Sequence, residues 1–189
     1  MNDKQQVAKH AATLVKDGMI VGLGTGSTAD FFIAELARRV NDEGLHVTTV
    51  ASSVVSMLKA QQYNLSVIAI EHLTRLDLYV DGADEVTPDN TLLKGQGADL
   101  VKEKLLAKAC DQFIVLVDRS KMVDRIGARF PAPIEVMPFA WQLVKRQVEA
   151  NGGQCSLRKN INGSGLAMSS HGSLILDVVF DNSLDSAQL

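Results

Sequence analysis

No apolar run approaches the ~18 residues of a membrane-spanning helix; the best early one, Met19 to Leu23, is far shorter. The opening Met-Asn-Asp-Lys-Gln-Gln lacks the apolar core of a secretory signal. Cysteine is scarce. Cys110 and Cys155 by themselves make neither a disulfide framework nor a zinc site, which fits a reducing, cytoplasmic address. An excess of one charge is missing too: 19 basic residues face 22 acidic ones, a net charge of −3. No block of like charge breaks that balance, which argues against nucleic acid or an anionic membrane as partner. Internal repeats and low-complexity tracts are absent as well. What is present is ordinary for a globular chain: 189 residues, 46% hydrophobic and 22% charged. That is about one and a quarter times the ~150-residue prior for one domain. It has room for one large domain, or one medium and one small, with a real core.

Residues 3 to 16 place Val7, Ala8, Ala11, Ala12, Leu14 and Val15 mostly three and four apart, which predicts an amphipathic helix stopped by Asp17-Gly18. Met19-Ile20-Val21 reads as a short buried strand, followed by Gly22-Leu-Gly-Thr-Gly-Ser-Thr28 and a helix from about Thr28 to Val40. Strands are expected at 46–50, 66–70, 76–80 and 113–117, with helical segments near 52–62 and 98–110. Strands alternating with helices predict an α/β fold, a Rossmann-like, mostly parallel sheet with helices on both faces. Three of the four prolines fall between Phe130 and Pro138, which predicts a boundary there. The expected organisation is a catalytic domain over 1–129 and a smaller α+β domain over 130–189. Within the latter we expect a helix (138–150), strands near 154–158 and 166–170, and a β-rich run from Leu174 to Phe180. Asp181 to Leu189 read as the cap and first turn of a helix.

Gly22, Gly24 and Gly26, set between a strand and a helix, permit unusual backbone conformations and close approach to a ligand. The helix N-terminus behind them offers unpaired N–H groups and partial positive charge, which suits a phosphate. Thr25, Ser27 and Thr28 add hydroxyl donors. A plain strand-to-helix turn with a Ser/Thr cap is the alternative. A dinucleotide fingerprint fails, because Ser27 stands where its last glycine belongs and no acid ends the second strand, Val50-Ala-Ser-Ser53. A P-loop fails as well, since no lysine follows Gly26. A small phosphate ester suits the loop better.

Leu76 to Val80 lead straight into Asp81-Gly82-Ala83-Asp84-Glu85. In a parallel sheet, strand C-terminal ends face the binding crevice, so Asp81 and Asp84 are placed to meet a ligand or to cap a turn. Magnesium would need more oxygen ligands than the sequence supplies. Lys94-Gly95-Gln96-Gly97 then opens the next helix, whose expected apolar stripe is Val101, Leu105 and Ala109. Glu103 lies off that stripe and taken alone reads as a solvated glutamate; Lys94 and Lys121 taken alone read as surface lysines. Together, a phosphate cradle, two carboxylates, a lysine and a further glutamate suit proton transfer on a phosphorylated sugar. No cofactor is required.

Gly22-Leu-Gly-Thr-Gly-Ser-Thr28, Tyr79-Val-Asp-Gly-Ala-Asp-Glu85, Lys94-Gly-Gln-Gly97 with Glu103, and Asp118-Arg-Ser-Lys121 together resemble ribose-5-phosphate isomerase, type A. The resemblance runs in order and spacing from about Val7 to Phe180. It implies interconversion of D-ribose 5-phosphate and D-ribulose 5-phosphate, in the non-oxidative pentose phosphate pathway. It further implies that Glu103 is the base moving a proton between C1 and C2 through an enediolate. Asp81 would assist ring opening and proton movement at the hydroxyls, Asp84 would orient the sugar, and Lys94 would stabilise the oxyanion. Thr25, Gly26, Ser27, Thr28 and Lys121 match the family's phosphate positions, with Lys4 a further candidate cation. Gly82, Ala83, Gly95, Gln96 and Gly97 fall within its substrate loops. The family is cytoplasmic, metal-independent, and a homodimer or dimer of dimers. Its lysine loop commonly reads Lys-Gly-Gly-Gly, so Gln96 would be strained if the third position needs positive φ. Its members also continue beyond the match to Leu189, which implies a second domain cut short at its C-terminal end.

Two other readings are weighed against this one. A sugar-phosphate sensor would bind without turnover and would need neither Glu103 nor Lys94. An acyl or coenzyme A transferase would use Glu103 as a nucleophile.

Overall fold

The structure, a computed structural model, describes residues 2–180. Its elements in chain order are α1 (Asp3–Thr13), β1 (Ile20–Leu23), α2 (Ser27–Glu43), β2 (Thr48–Ala51), α3 (Val54–Gln62), β3 (Val67–Ile68), β4 (Leu76–Gly82), β5 (Glu85–Val86) and β6 (Leu92–Leu93). There follow α4 (Leu100–Ala109), β7 (Cys110–Leu116), β8 (Ala132–Val136), α5 (Trp141–Ala150), β9 (Gln154–Leu157) and β10 (Leu174–Val179). The helix start expected over Asp181 to Leu189 lies outside the described residues. None of the described helices is long and apolar enough to cross a membrane.

The chain divides into two compact units. One takes the residues up to Gly82 with Val101–Asp118, and the other takes Ala83–Leu100 with the residues from Arg119 onward. The chain therefore changes unit at Gly82, Leu100 and Asp118, where the sequence suggests one boundary at 129/130. The stretch 83–100 goes with the later residues because its hairpin bridges to them, Val86 pairing with Met122.

In the first unit, five strands lie parallel in the order β3-β2-β1-β4-β7. Asn2 and Gln5 form a capping box at the start of α1, which ends three residues earlier than expected. Arg39 of α2 closes its far end by donating to the carbonyls of Ala12 and Val15. Ala8, Ala11 and Ala12 of α1 and Phe32, Ile33 and Leu36 of α2 pack on Val21, Leu23, Leu78 and Val80. A separate cluster of Val50, Leu76, Tyr79 and Leu106 buries α4. Helices thus cover both faces, as expected for this α/β class.

α4 corrects the expected stripe. Leu106 and Glu103, three apart on one helix face, are buried, while Val101 and Leu105 are 49% and 53% exposed. Apolar spacing misled here because the buried face carries a carboxylate as well as a leucine, and lone surface apolar residues are common.

The second unit holds the β5–β6 hairpin and an antiparallel sheet in the order β8-β10-β9. The proline-rich stretch is no linker: β8 runs through Pro133, tolerated because β8 is paired on one side among the described residues. Trp141, Val144 and Val148 of α5 pack on Val136, Leu176 and Val178. The strand expected over 166–170 is reduced to the bridges Lys159–Leu166 and Met168–Leu174.

Candidate active site

In the order β3-β2-β1-β4-β7, the chain leaves β1 toward one edge and later resumes at β4 on its other side. This is a topological switch point, where the crevice of an open parallel sheet opens at the strand C-termini. The glycine loop follows β1 and Asp81 is the last residue but one of β4, so the first unit places both there.

The register pairs Gly22 with Tyr79, so Gly24 falls beside Asp81. A Cβ on Gly24 would overlap the Asp81 carboxylate and lie 2.6 Å from its Cα. The close approach that this glycine allows is thus to Asp81. Gly26 serves differently: at φ 111° it turns the chain into α2, and among the described residues no side chain caps that helix. The first amides of α2 thus lack a side-chain cap, and they lie beside the hydroxyls of Ser27 and Thr28, an arrangement that suits an anion. Lys4 Nζ donates to Ser27 Oγ at 2.9 Å, which brings a cation to the same end. Thr25 turns inward instead, donating to Ser53 Oγ at 2.7 Å and sharing a hydrogen bond with Ser52 Oγ at 2.9 Å.

Asp81 is fully buried. Its carboxylate accepts the Thr25 N–H at 3.1 Å, the Gly82 N–H at 2.7 Å and the Tyr79 hydroxyl. Tyr79, also fully buried, stacks on Phe113 at 5.0 Å. Burial pushes its phenol far above its ordinary range, with the charge and hydrogen bond of Asp81 and then the charge of Glu103 adding to the effect. Glu103, 6% exposed, therefore lies within electrostatic reach of the Tyr79–Asp81 pair. Two acids and a protonated phenol in a shielded setting can pass protons to and from a bound hydroxylated molecule. Tyr79 was not among the candidates from sequence. Its signal was its place two residues before Asp81, on the same face of the strand.

The second unit holds the remaining candidates. Ala83 is buried; Asp84 is half-buried and accepts the Gln96 N–H at 3.0 Å. Lys94 and Gln96 are half-buried, Gly95 is buried, and Gly97 is exposed. Gly95 has a φ of 104°, while Gln96 is absent from the residues with positive φ, so the anticipated strain at Gln96 does not arise. Lys121 closes a 3-10 turn at Arg119–Lys121, one residue before the Val86–Met122 bridge. Glu85, the last acid of the motif, is withdrawn from chemistry. Fully buried, it accepts the N–H groups of Gly127 (2.6 Å), Arg129 (2.6 Å) and Phe130 (2.9 Å), and so ties the hairpin to the segment before β8.

Known proteins resemble the whole arrangement. The family model of ribose 5-phosphate isomerase A (phosphoriboisomerase A) matches residues 48–189, and a model of the DeoR C-terminal sensor domain matches residues 1–71. Ribose-5-phosphate isomerase A of Thermosynechococcus vestitus is 41% identical over 187 residues, covering 98% of this chain and 79% of the relative. That of Methanothermobacter thermautotrophicus is 44% identical over 181 residues, covering 95% and 79%. Among solved structures, ribose 5-phosphate isomerase A of Methanocaldococcus jannaschii superimposes with a TM-score of 0.90 at 38% identity, over 96% of this chain and 81% of that one. A D-ribose-5-phosphate isomerase in complex with phospho-erythronic acid gives 0.89 at 35% identity, over 95% and 80%. By these matches across nearly all of its length, the chain belongs to the ribose 5-phosphate isomerase A family of isomerases.

Proposed function

We propose that this chain interconverts D-ribose 5-phosphate and D-ribulose 5-phosphate through an enediolate, with Glu103 as the base. The observation that carries this reading is the burial of Glu103 beside Leu106 on one face of α4, with its charge acting on the buried phenol of Tyr79. In the forward direction Glu103 takes the proton from C2 and returns it to C1. A second proton leaves O2 and arrives at O1. Asp81, steadied by three donors, moves that hydroxyl proton and assists ring opening. Asp84 orients the sugar, Lys94 faces the developing oxyanion, and Gly82, Ala83 and Gly95 to Gly97 line the substrate through their backbone. The phosphate sits on Gly26 to Thr28, with Lys4 and Lys121 as cations, while Thr25, its N–H and hydroxyl engaged by Asp81, Ser53 and Ser52, holds the loop in shape. The phospho-erythronic acid bound by a relative is a phosphorylated sugar acid, the class of ligand this set suits. The same reading has the enzyme act without cofactor or metal ion, in the cytoplasm and in the non-oxidative pentose phosphate pathway, as a homodimer or dimer of dimers.

The test is ketose formation from ribose 5-phosphate without added metal. Glu103→Gln is expected to lower kcat by ~10²–10⁴-fold, the usual contribution of a positioned base. Equal rates in the variant and the wild type would remove Glu103 from the role.

The DeoR sensor-domain match favours a second reading, binding without turnover. Residues 1–71 contain the glycine loop but none of Asp81, Asp84, Lys94 and Glu103. Saturable binding of ribose 5-phosphate with no ketose formed would establish the sensor and exclude the isomerase.

A further inference from the structure

The loop from Lys94 to Gly97 has no regular structure of its own and is held by side chains of its unit. Arg158, just after β9, donates from Nη1 to the carbonyls of Gly95 at 3.0 Å and Gln96 at 3.2 Å. The rest of its guanidinium grips Asp177 of β10. Nε lies 3.1 and 3.0 Å from the two carboxylate oxygens, and Nη2 lies 2.5 Å from Oδ1. The two side chains are only 13% and 19% exposed. Holding the sheet does not require them, since β9 and β10 already pair through their backbones. A buried ion pair is in general no better a stabiliser than well-packed apolar residues of the same size. What it supplies here is direction. A peptide is planar and trans, so fixing the Gln96 carbonyl fixes the Gly97 N–H on the opposite side. The preceding peptide is fixed twice, by Arg158 at the Gly95 carbonyl and by Asp84 at the Gln96 N–H.

We infer that Arg158, locked by Asp177, is a positioning residue for the isomerisation, one that sets the Lys94–Gly97 loop without touching substrate. The inference rests on the proposed role of that loop at the oxyanion. Arg158 holds two carbonyls and one carboxylate with a single planar fork, which a lysine cannot do.

The experiment compares wild type, Arg158→Met, Arg158→Lys and the double variant Arg158→Met/Asp177→Leu in two measurements. In steady-state kinetics on ribose 5-phosphate, all three variants are expected to lose kcat by about 10–100-fold, the effect of a misplaced group, with KM changed by less than about threefold. The double variant, which strands no buried carboxylate, is expected to melt near the wild-type temperature and still show the low kcat. In backbone hydrogen exchange, residues 94–99 are expected to exchange about tenfold faster in Arg158→Met. The inference is overturned if kcat stays within about twofold of wild type, or if the double variant regains wild-type kcat along with its stability. Unchanged exchange at 94–99 also overturns it, and does so even if the wild type forms no ketose. Absence of turnover in the wild type would instead defeat the isomerase reading.

Discussion

Two glycine-bearing loops, one in each unit, reach their shapes by different means. The loop from Gly24 to Thr28 is shaped by regular structure on either side: β1 enters it, α2 leaves it, and the β1–β4 register lays Gly24 against Asp81. The loop from Lys94 to Gly97 has a two-residue strand before it, and side chains from elsewhere hold it. Asp84 takes its Gln96 N–H, Arg158 takes two of its carbonyls, and Asp99 beyond it takes the N–H and hydroxyl of Ser170. The first loop is robust to side-chain changes and intolerant of an added Cβ. The second is governed by the ionic contacts that hold it.

The sharpest way to break this contrast is Gly24→Ala. Its methyl group would occupy the space of the Asp81 carboxylate, and with Asp81 in its proposed role kcat/KM is expected to fall by at least about 10²-fold. Normal kinetics in that variant would show that the register does not shape the loop. Next in size, Glu85→Gln places an amide where backbone N–H groups now point. A loss of about 1–3 kcal/mol is expected in urea unfolding, since a buried donor is left unsatisfied.

Tyr79→Phe removes one donor from Asp81 while keeping the stack on Phe113. A loss in kcat of about tenfold is expected, the equivalent of one hydrogen bond to a charged group. The same residue predicts a pH effect. Its folded phenol stays protonated above the ordinary value of 10.0, where the unfolded chain has released that proton. Stability is therefore expected to fall as pH rises past 10, by about 1.4 kcal/mol per unit from this group. Urea melts between pH 9 and 11 should show that slope in the wild type and lack it in Tyr79→Phe. The smallest effect is expected on α4. Leu105→Ser, on the exposed side, should shift stability by no more than about 0.5 kcal/mol. A large loss would restore the stripe read from spacing.

Much of the frame is legible in the sequence. Strand and helix alternation placed β1, α2, β4 and α4 close to where they lie, and the acids after β4 were found by their position at a strand end. The errors share a cause. Glu103 taken alone reads as solvated because apolar spacing reports which residues prefer burial and is silent about a carboxylate placed on the buried face. Glu85 carries no assignment in the sequence because the N–H groups that absorb it belong to Gly127, Arg129 and Phe130, more than 40 residues away. Pro133 read as a boundary because a proline can lie in an edge strand, and edges exist only once strands are ordered. Arg158 and Asp177 carried no signal at all; each is an unremarked charge until β9 and β10 pair.

The sequence by itself determined the parallel α/β frame, the two glycine-bearing loops and the inventory of acids and lysines. Periodicity and turn chemistry act over a few residues and can be read along the chain. Tertiary structure alone decided how each charged group is used. It joined Asp81 to the Tyr79 hydroxyl, buried Glu103, spent Glu85 on backbone amides and gave the Lys94 loop its Arg158 clamp. Burying and pairing a charge depends on partners that only strand order and register bring within hydrogen-bond distance, and those partners lie far away along the chain.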